Sequence, residues 1–185
     1  FVEWQNDVDE SLRNISSDIE VKKFIIWLSE KLIEKFEDIE LVDGFTYIKV
    51  ENTRLALAEL AAAYFDYPAE KLKTIGITGT KGKTTTTYLV KSILESAGIK
   101  TGLIGTIETV IGDKHIPSVN TTPESYLLQE SFRKMVDAGM EAVVMEVSSQ
   151  ALMMYRVAGF TFDIGVFTNL EPDHIGGNEH KDFDD

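Results

Sequence analysis

Residues 76–86 read Gly-Ile-Thr-Gly-Thr-Lys-Gly-Lys-Thr-Thr-Thr, and few folds have a use for such a run. It follows a short apolar stretch, Thr74 to Thr78, that reads as a strand. It leads into a helix-patterned stretch, Lys83 to Ser96. A glycine-rich turn between a strand and a helix aims backbone N–H groups at an anion, where the helix dipole also favours negative charge. The N–H groups of Gly79 to Thr84 are expected to wrap a phosphate, with Gly79, Thr80, Lys81, Gly82, Lys83, Thr84 and Thr85 forming the nucleotide-binding set. Lys83 would reach the β- and γ-phosphates, and the Thr84 hydroxyl would ligate Mg²⁺. The spacing is not G-x-x-x-x-G-K-[ST], because Ile77 stands five residues before Gly82. The run fits G-x-x-G-T-x-G-K-T-T, with one more glycine. A plain β–α turn would not need three glycines, a lysine and four successive threonines. This is a nucleotide-phosphate loop.

Composition narrows the partners. A net charge of −13 over 185 residues leaves no basic stripe for nucleic acid and disfavours an anionic membrane surface. The absence of cysteine excludes disulfides, thiolate zinc and thiol nucleophiles, and fits a cytoplasmic protein. No apolar run approaches a bilayer span, and no signal peptide is visible. The chain opens on Phe1 and stops inside the acidic stretch Glu179 to Asp185, which reads as a piece of a longer chain.

Periodicity supplies the frame. From Asp18 as N-cap, Val21, Phe24, Ile25, Leu28, Leu32, Ile33 and Phe36 recur at helical spacing. Phe45 to Val50 alternates as a strand. Asn52 is expected to cap an alanine-rich helix to about Phe65, stopped by Asp66-Tyr67-Pro68, and Tyr67 to Lys73 reads as a linker. Thr101 to Val110 reads as a strand continuing through Gly112-Asp113 into a hairpin ending near Pro117. Pro123 suits the first turn of a helix to Ala138. Glu141 to Val147 reads as a buried strand, Gln150 to Tyr155 as a short helix and Phe162 to Thr168 as a strand. Strands alternating with helices predict an α/β fold: a P-loop-containing, mostly parallel sheet flanked by helices over 71–185, preceded by a smaller α/β domain over 1–70. Ligands of such sheets sit at the strands' carboxyl ends.

Three polar runs fall at those ends. Glu146 closes the apolar strand Ala142-Val143-Val144-Met145, either as an acidic Mg²⁺ ligand or as a solvated cap of the next helix. Asp173-His174 follows the last strand. His174 reads as a metal ligand through neutral imidazole or as a surface residue. Asn120-Thr121-Thr122-Pro123-Glu124 enters a helix, as an ordinary N-cap or as hydroxyl and amide donors for a sugar or phosphate. Ser148 and Arg156 flank the short helix after Glu146. Arg156 is either an anion clamp or a cation covering the helix. His115 and His180 carry no assignment.

Gly76 to Thr86, Asn120 to Glu124, Met145-Glu146-Val147-Ser148-Ser149 and Phe167-Thr168-Asn169-Leu170 with Asp173-His174 together resemble the Mur ligase family. The pairing of Asn-Thr-Thr-Pro-Glu with Met-Glu-Val-Ser-Ser is most like the branch that makes UDP-N-acetylmuramoyl-tripeptide. Val50-Glu51-Asn52-Thr53-Arg54 and the alanines after it resemble the end of that family's first domain. The resemblance covers about residues 48–185. It implies an incomplete central ATP-binding domain over 71–185 and part of a UDP-binding domain over 1–70, in a protein monomeric when complete. It also implies an ATP- and Mg²⁺-dependent ligase of peptidoglycan synthesis, serving cell-wall biogenesis, cell shape and division. Such a ligase phosphorylates the D-glutamyl carboxylate of UDP-MurNAc-L-Ala-D-Glu; the amine of a diamino acid then attacks the acyl phosphate. By the resemblance Lys83, Glu146 and His174 would be catalytic. Thr84, Glu146 and His174 would hold metal, and Asn120, Thr121, Thr122, Ser148 and Arg156 would bind the UDP-MurNAc-dipeptide.

Departures are visible. Lys81 stands where Asn is frequent, Gln150 where many members have His, and Met154 where some use Gln. The family's modified lysine and C-terminal domain lie beyond residue 185, so the resemblance implies a chain inactive on its own. Asp173-His174-Ile175-Gly176 with Glu179-His180 resembles lysine-adding members, favouring L-lysine over meso-diaminopimelate. Two rivals stand beside this reading: a folylpolyglutamate synthase-like ligase, which shares the loop variant, and a non-catalytic P-loop module acting as a switch.

Overall fold

The computed structural model describes residues 50–172 together with Gly176 and Asp182. The expected helix at 18–36 and strand at 45–50 lie outside the described residues, Val50 excepted, which belongs to no element. Helix α1 (Thr53–Tyr64) starts where expected, because Asn52 Oδ1 accepts the N–H groups of Arg54 and Leu55, both at 3.0 Å. It stops where Asp66 and Tyr67 take positive φ, 61° and 44°. The stretch expected as a linker is instead packed structure. Pro68–Lys71 forms a 3₁₀ turn, and Ala69 and Leu72 are buried in the main core.

Six strands form one sheet among the described residues, in the order β4-β3-β2-β5-β1-β6. They are β1 (Lys73–Thr78), β2 (Thr101–Ile104), β3 (Glu108–Ile111), β4 (Lys114–Pro117), β5 (Ala142–Glu146) and β6 (Ile164–Phe167). Strands β2, β5, β1 and β6 run parallel, and β3 and β4 extend the sheet as an antiparallel hairpin. The segment expected as one strand over 101–110 breaks at residues 105–107, where the Gly105 N–H donates to Glu108 O at 3.1 Å and the chain reverses.

Central β5 is apolar because both its faces are covered. Val144 packs with Ile75 and Ile77 under helix α2 (Lys83–Ser96) through Val90 and Leu94. Val143 and Met145 face the other way, onto Leu128, Phe132 and Met135 of helix α3 (Ser125–Asp137), as strand alternation requires. Helix α3 begins at Ser125 with Glu124 as N-cap, so Pro123 lies just outside the first turn it was expected to occupy. Helix α1 and the 3₁₀ turn also rest against α3. A short helix α4 (Ser149–Met153) follows β5.

The register does the functional work. Ile77 of β1 lies opposite Glu146 of β5, Ile104 of β2 opposite Met145, and Thr78 opposite Phe167 of β6. The carboxyl ends of four parallel strands therefore share one edge, and the loops leaving them must meet there.

Candidate nucleotide and substrate site

The phosphate loop leaves β1 at Thr78 and enters α2 through Gly82, whose φ of 85° makes it a left-handed N-cap with no side-chain bond. Lys83, Thr84 and Thr85 form the first turn of α2, where peptide N–H groups have no partner inside a helix. Thr86 N is the first to bond back, to Gly82 O at 3.0 Å. This part of the expected anion cradle is present. Two amides of the loop are turned to another partner: Thr80 N donates to Asn169 O (3.0 Å) and Lys81 N to Asn169 Oδ1 (2.9 Å). The Lys83 ammonium donates to the carbonyls of Gly79 (2.6 Å) and Thr80 (3.1 Å), folded over the loop. Gly79 is compelled twice. Its φ is 126°, and a Cβ would sit 2.8 Å from Asn169 O and 2.9 Å from Asn169 N.

Glu146 closes β5 with only 1% of its surface exposed, so the solvated-cap alternative fails. Its Oε2 accepts from the hydroxyls of Thr84 (2.9 Å) and Thr106 (3.0 Å), and its Oε1 from Thr106 N (2.9 Å). Strand end and phosphate-loop helix thus meet on one carboxylate. Thr106 escaped the sequence reading because 101–110 looked like a continuous strand; Gly105 was the available signal. A Cβ on Gly105 would run into Glu146 Oε1, so glycine here makes room for the carboxylate.

The Asn120-to-Glu124 turn divides by burial. Asn120 is exposed, and Thr121 Oγ1 lies 3.1 Å from Thr106 Oγ1, to which it donates because the Thr106 proton is given to Glu146; this joins the turn to the Glu146 network. Thr122, expected among the substrate donors, has its hydroxyl engaged inside the protein. It is fully buried, its hydroxyl donates to Glu146 O (2.9 Å) and accepts from Ser148 N (3.1 Å), and it rivets the turn to the end of β5. Ser148 N-caps α4, accepting from Ala151 N at 3.2 Å. Arg156, its side chain 12% exposed, pairs with Glu124 at 2.7 Å and donates to Thr122 O at 3.3 Å. His174 lies outside the described residues.

Residues 77–185 match the Mur ligase middle-domain family. The chain belongs to the Mur ligase family. It is 55% identical over 148 residues to the UDP-N-acetylmuramoyl-L-alanyl-D-glutamate–2,6-diaminopimelate ligase of Clostridium perfringens, covering 80% of this chain and 30% of that one. It is 45% identical over 190 residues to the ligase of the same name from Clostridium tetani, covering 97% of this chain and 38% of that one. A solved structure of a ligase of that name superposes with a TM-score of 0.58 at 27% identity, over 66% of this chain and 25% of the other. The chain spans about a third of the length of the curated relatives it matches.

Within this Mur ligase middle domain the donors around Glu146 suit a hard divalent cation. A carboxylate and two hydroxyls converge within 3.0 Å, all of them oxygen ligands. The carboxylate is buried, and its donors are all neutral. Beside the site, Tyr88 of α2 donates to Glu108 Oε1 (2.8 Å), and His115 Nδ1 lies 2.8 Å from Glu108 Oε2. Burial and then the Glu108 bond push the Tyr88 phenol up to about 12. Bonds from His115 and Tyr88 hold Glu108 below its ordinary value. Tyr88 thus ties the hairpin to the phosphate-loop helix through Glu108, while His115, unassigned from sequence, braces the same carboxylate from the neighbouring strand β4. Among the described residues no helix is long and apolar enough to cross a membrane.

Proposed function

We propose that the chain is the core of an ATP-dependent amide-bond ligase that joins 2,6-diaminopimelate to UDP-N-acetylmuramoyl-L-alanyl-D-glutamate in the cytoplasm. Residues 71–185 would form its ATP-binding unit, and 1–70 would belong to the preceding UDP-binding unit. One observation carries the reading: Glu146, buried at a strand's carboxyl end, bonds the Thr84 hydroxyl that opens the phosphate-loop helix. A carboxylate and a hydroxyl brought together at that place suit Mg²⁺ bound with a nucleoside triphosphate. Thr84 and Glu146 would hold the ion. Bound there, it would neutralise charge on the phosphates and on the carboxylate that receives the phosphoryl group. Lys83 would leave the Gly79 and Thr80 carbonyls to meet the transferred phosphoryl group. His174 is kept as a second metal ligand. Arg156, Ser148, Asn120 and Thr121 would orient the UDP-sugar peptide, with Thr122 acting through its backbone and its rivet to β5.

The names of relatives at 45% and 55% identity favour diaminopimelate as acceptor, against the leaning to L-lysine drawn from Asp173 to Gly176. The test is phosphate release by the complete parent protein with ATP, Mg²⁺ and the UDP-MurNAc-dipeptide, each amino acid being supplied separately. Release that requires diaminopimelate is expected. Release with lysine alone would keep the ligase and reverse the acceptor. Release with folate and glutamate only, or with no acceptor at all, would overturn the proposal in favour of a folylpolyglutamate synthase-like enzyme or a nucleotide switch.

A further inference from the structure

The loop leaving β6, Thr168 to Glu171, is bonded to the end of β1 and the phosphate loop through Thr168, Asn169 and Glu171. Thr168 N donates to Thr78 O (3.0 Å), and the Thr168 hydroxyl to Lys81 O (2.8 Å). The Thr80 hydroxyl donates to Glu171 O (3.1 Å) and accepts from Glu171 N (2.9 Å), and the Lys81 ammonium pairs with the Glu171 carboxylate. Asn169 sits at the centre. Its Oδ1 accepts from Lys81 N and its Nδ2 donates to Lys81 O, both at 2.9 Å, while its own carbonyl accepts from Thr80 N at 3.0 Å. The amide's orientation follows from its partners, since one contact is a donor and the other an acceptor. No other side chain of this length has both.

The consequence concerns which amides remain for an anion. Asn169 occupies the N–H groups of Thr80 and Lys81, whereas those of the first turn of α2 have no helical partner. We infer that Asn169 is a positioning residue of the phosphate loop. It turns the Thr80-Lys81 peptides toward β6, so that phosphates are read by the amides of residues 83–85 and by the Lys83 ammonium, without Thr80 or Lys81. The inference rests on the proposed nucleotide site and says how that site is held open. Aspartate could accept from Lys81 N but could not donate to Lys81 O, and it would set a negative charge beside the phosphates.

The test is amide hydrogen exchange, resolved to single residues, on the complete parent protein with and without Mg²⁺-ADP. In the wild type the Thr80 and Lys81 amides should already be protected before ADP is added, and ADP should slow exchange at residues 83–85 only. In Asn169→Ala the Lys81 amide should exchange about tenfold faster and the Kd for ADP should rise about tenfold, while the Kd for UDP-MurNAc-L-Ala-D-Glu stays within about twofold. Asn169→Asp should weaken ADP at least as much. A wild-type Lys81 amide that is unprotected, or that gains protection only with ADP, would overturn the inference even if Asn169→Ala fails to fold. Equal loss of both ligands in Asn169→Ala would reduce Asn169 to a structural part. A wild type that binds no ADP would sink the nucleotide site itself, a different failure.

Discussion

Glu146 and Asp163 are carboxylates at opposite ends of one sheet, and each gathers three close donor contacts. Glu146 stands at the carboxyl end of β5 and is 1% exposed; its donors are two hydroxyls and a peptide N–H. Asp163 stands just before β6, its side chain 37% exposed. It accepts from Thr74 N (2.8 Å), Thr74 Oγ1 (3.1 Å) and the Lys73 ammonium (3.1 Å). Asp163 therefore has a cation and solvent nearby, whereas the donors that Glu146 meets among the described residues are all neutral. A buried anion with only neutral donors is costly to the fold. Asp163 fastens β6 to β1, whereas Glu146 gathers the phosphate-loop helix and the turn after β2 around one buried carboxylate. Burial among neutral donors separates a site carboxylate from a fastening one that faces a lysine.

The largest effect should follow Glu146→Gln. A glutamine side chain keeps the shape, accepts from Thr106 N, and donates to hydroxyls that can rotate to receive it. Phosphate release by the parent protein should fall by about a hundredfold or more, with a raised Mg²⁺ requirement. The melting temperature should hold or rise by roughly 1–3 °C, because a buried charge has gone. Activity within a few-fold of wild type, or a large loss of stability, would break the contrast with Asp163.

Gly105→Ala asks whether the placement of the Glu146 carboxylate matters as well as its presence. The new methyl would meet Oε1, so carboxylate or turn must move, at about 1–3 kcal/mol. Phosphate release should fall about tenfold, with a higher Mg²⁺ requirement. Mg²⁺ dependence unchanged from wild type would show that the metal does not depend on this alignment.

How much of this was legible follows from how local each signal is. β1, the phosphate loop and α2 were read closely because glycine spacing, threonines and helical periodicity lie within two dozen residues. Glu146 stood out because a charge ends an otherwise apolar strand. Gly105 to Ile107 was read through, since β-branched residues on both sides mask a turn that only the antiparallel pairing of Leu103 with Val110 reveals. Thr122 shows the limit, since a hydroxyl facing β5 and one facing solvent look alike in sequence. The hold of Asn169 on Lys81 joins residues 88 apart, and no local pattern records such a bond. The motif around Asn169 was visible from sequence, but its work was not.

The smallest effect should come from Asp163→Asn. The Thr74 N–H bond comes first, then the bonds from Lys73 and the Thr74 hydroxyl, in holding the Asp163 carboxyl below its ordinary value. A depressed folded-state value means that the unfolded chain takes up the proton first as pH falls. The stabilisation from Asp163 is therefore complete above the ordinary aspartate range, about 3.9, and fades as pH drops through the lower folded-state value. Asparagine can still accept from Thr74 but loses the charge facing Lys73. In the parent protein the melting temperature should drop by only about 2 °C at neutral pH, since the pair is partly exposed. That gap should close as the pH is taken below about 4. Phosphate release should be unchanged, because Asp163 bonds Lys73 and Thr74 at the amino end of β1, the end opposite the phosphate loop. A gap that widens in acid would reverse the sign assigned to Asp163. A loss of activity at constant stability would show that this end of the sheet also reaches the site, and the division between fastening and site carboxylates would fail.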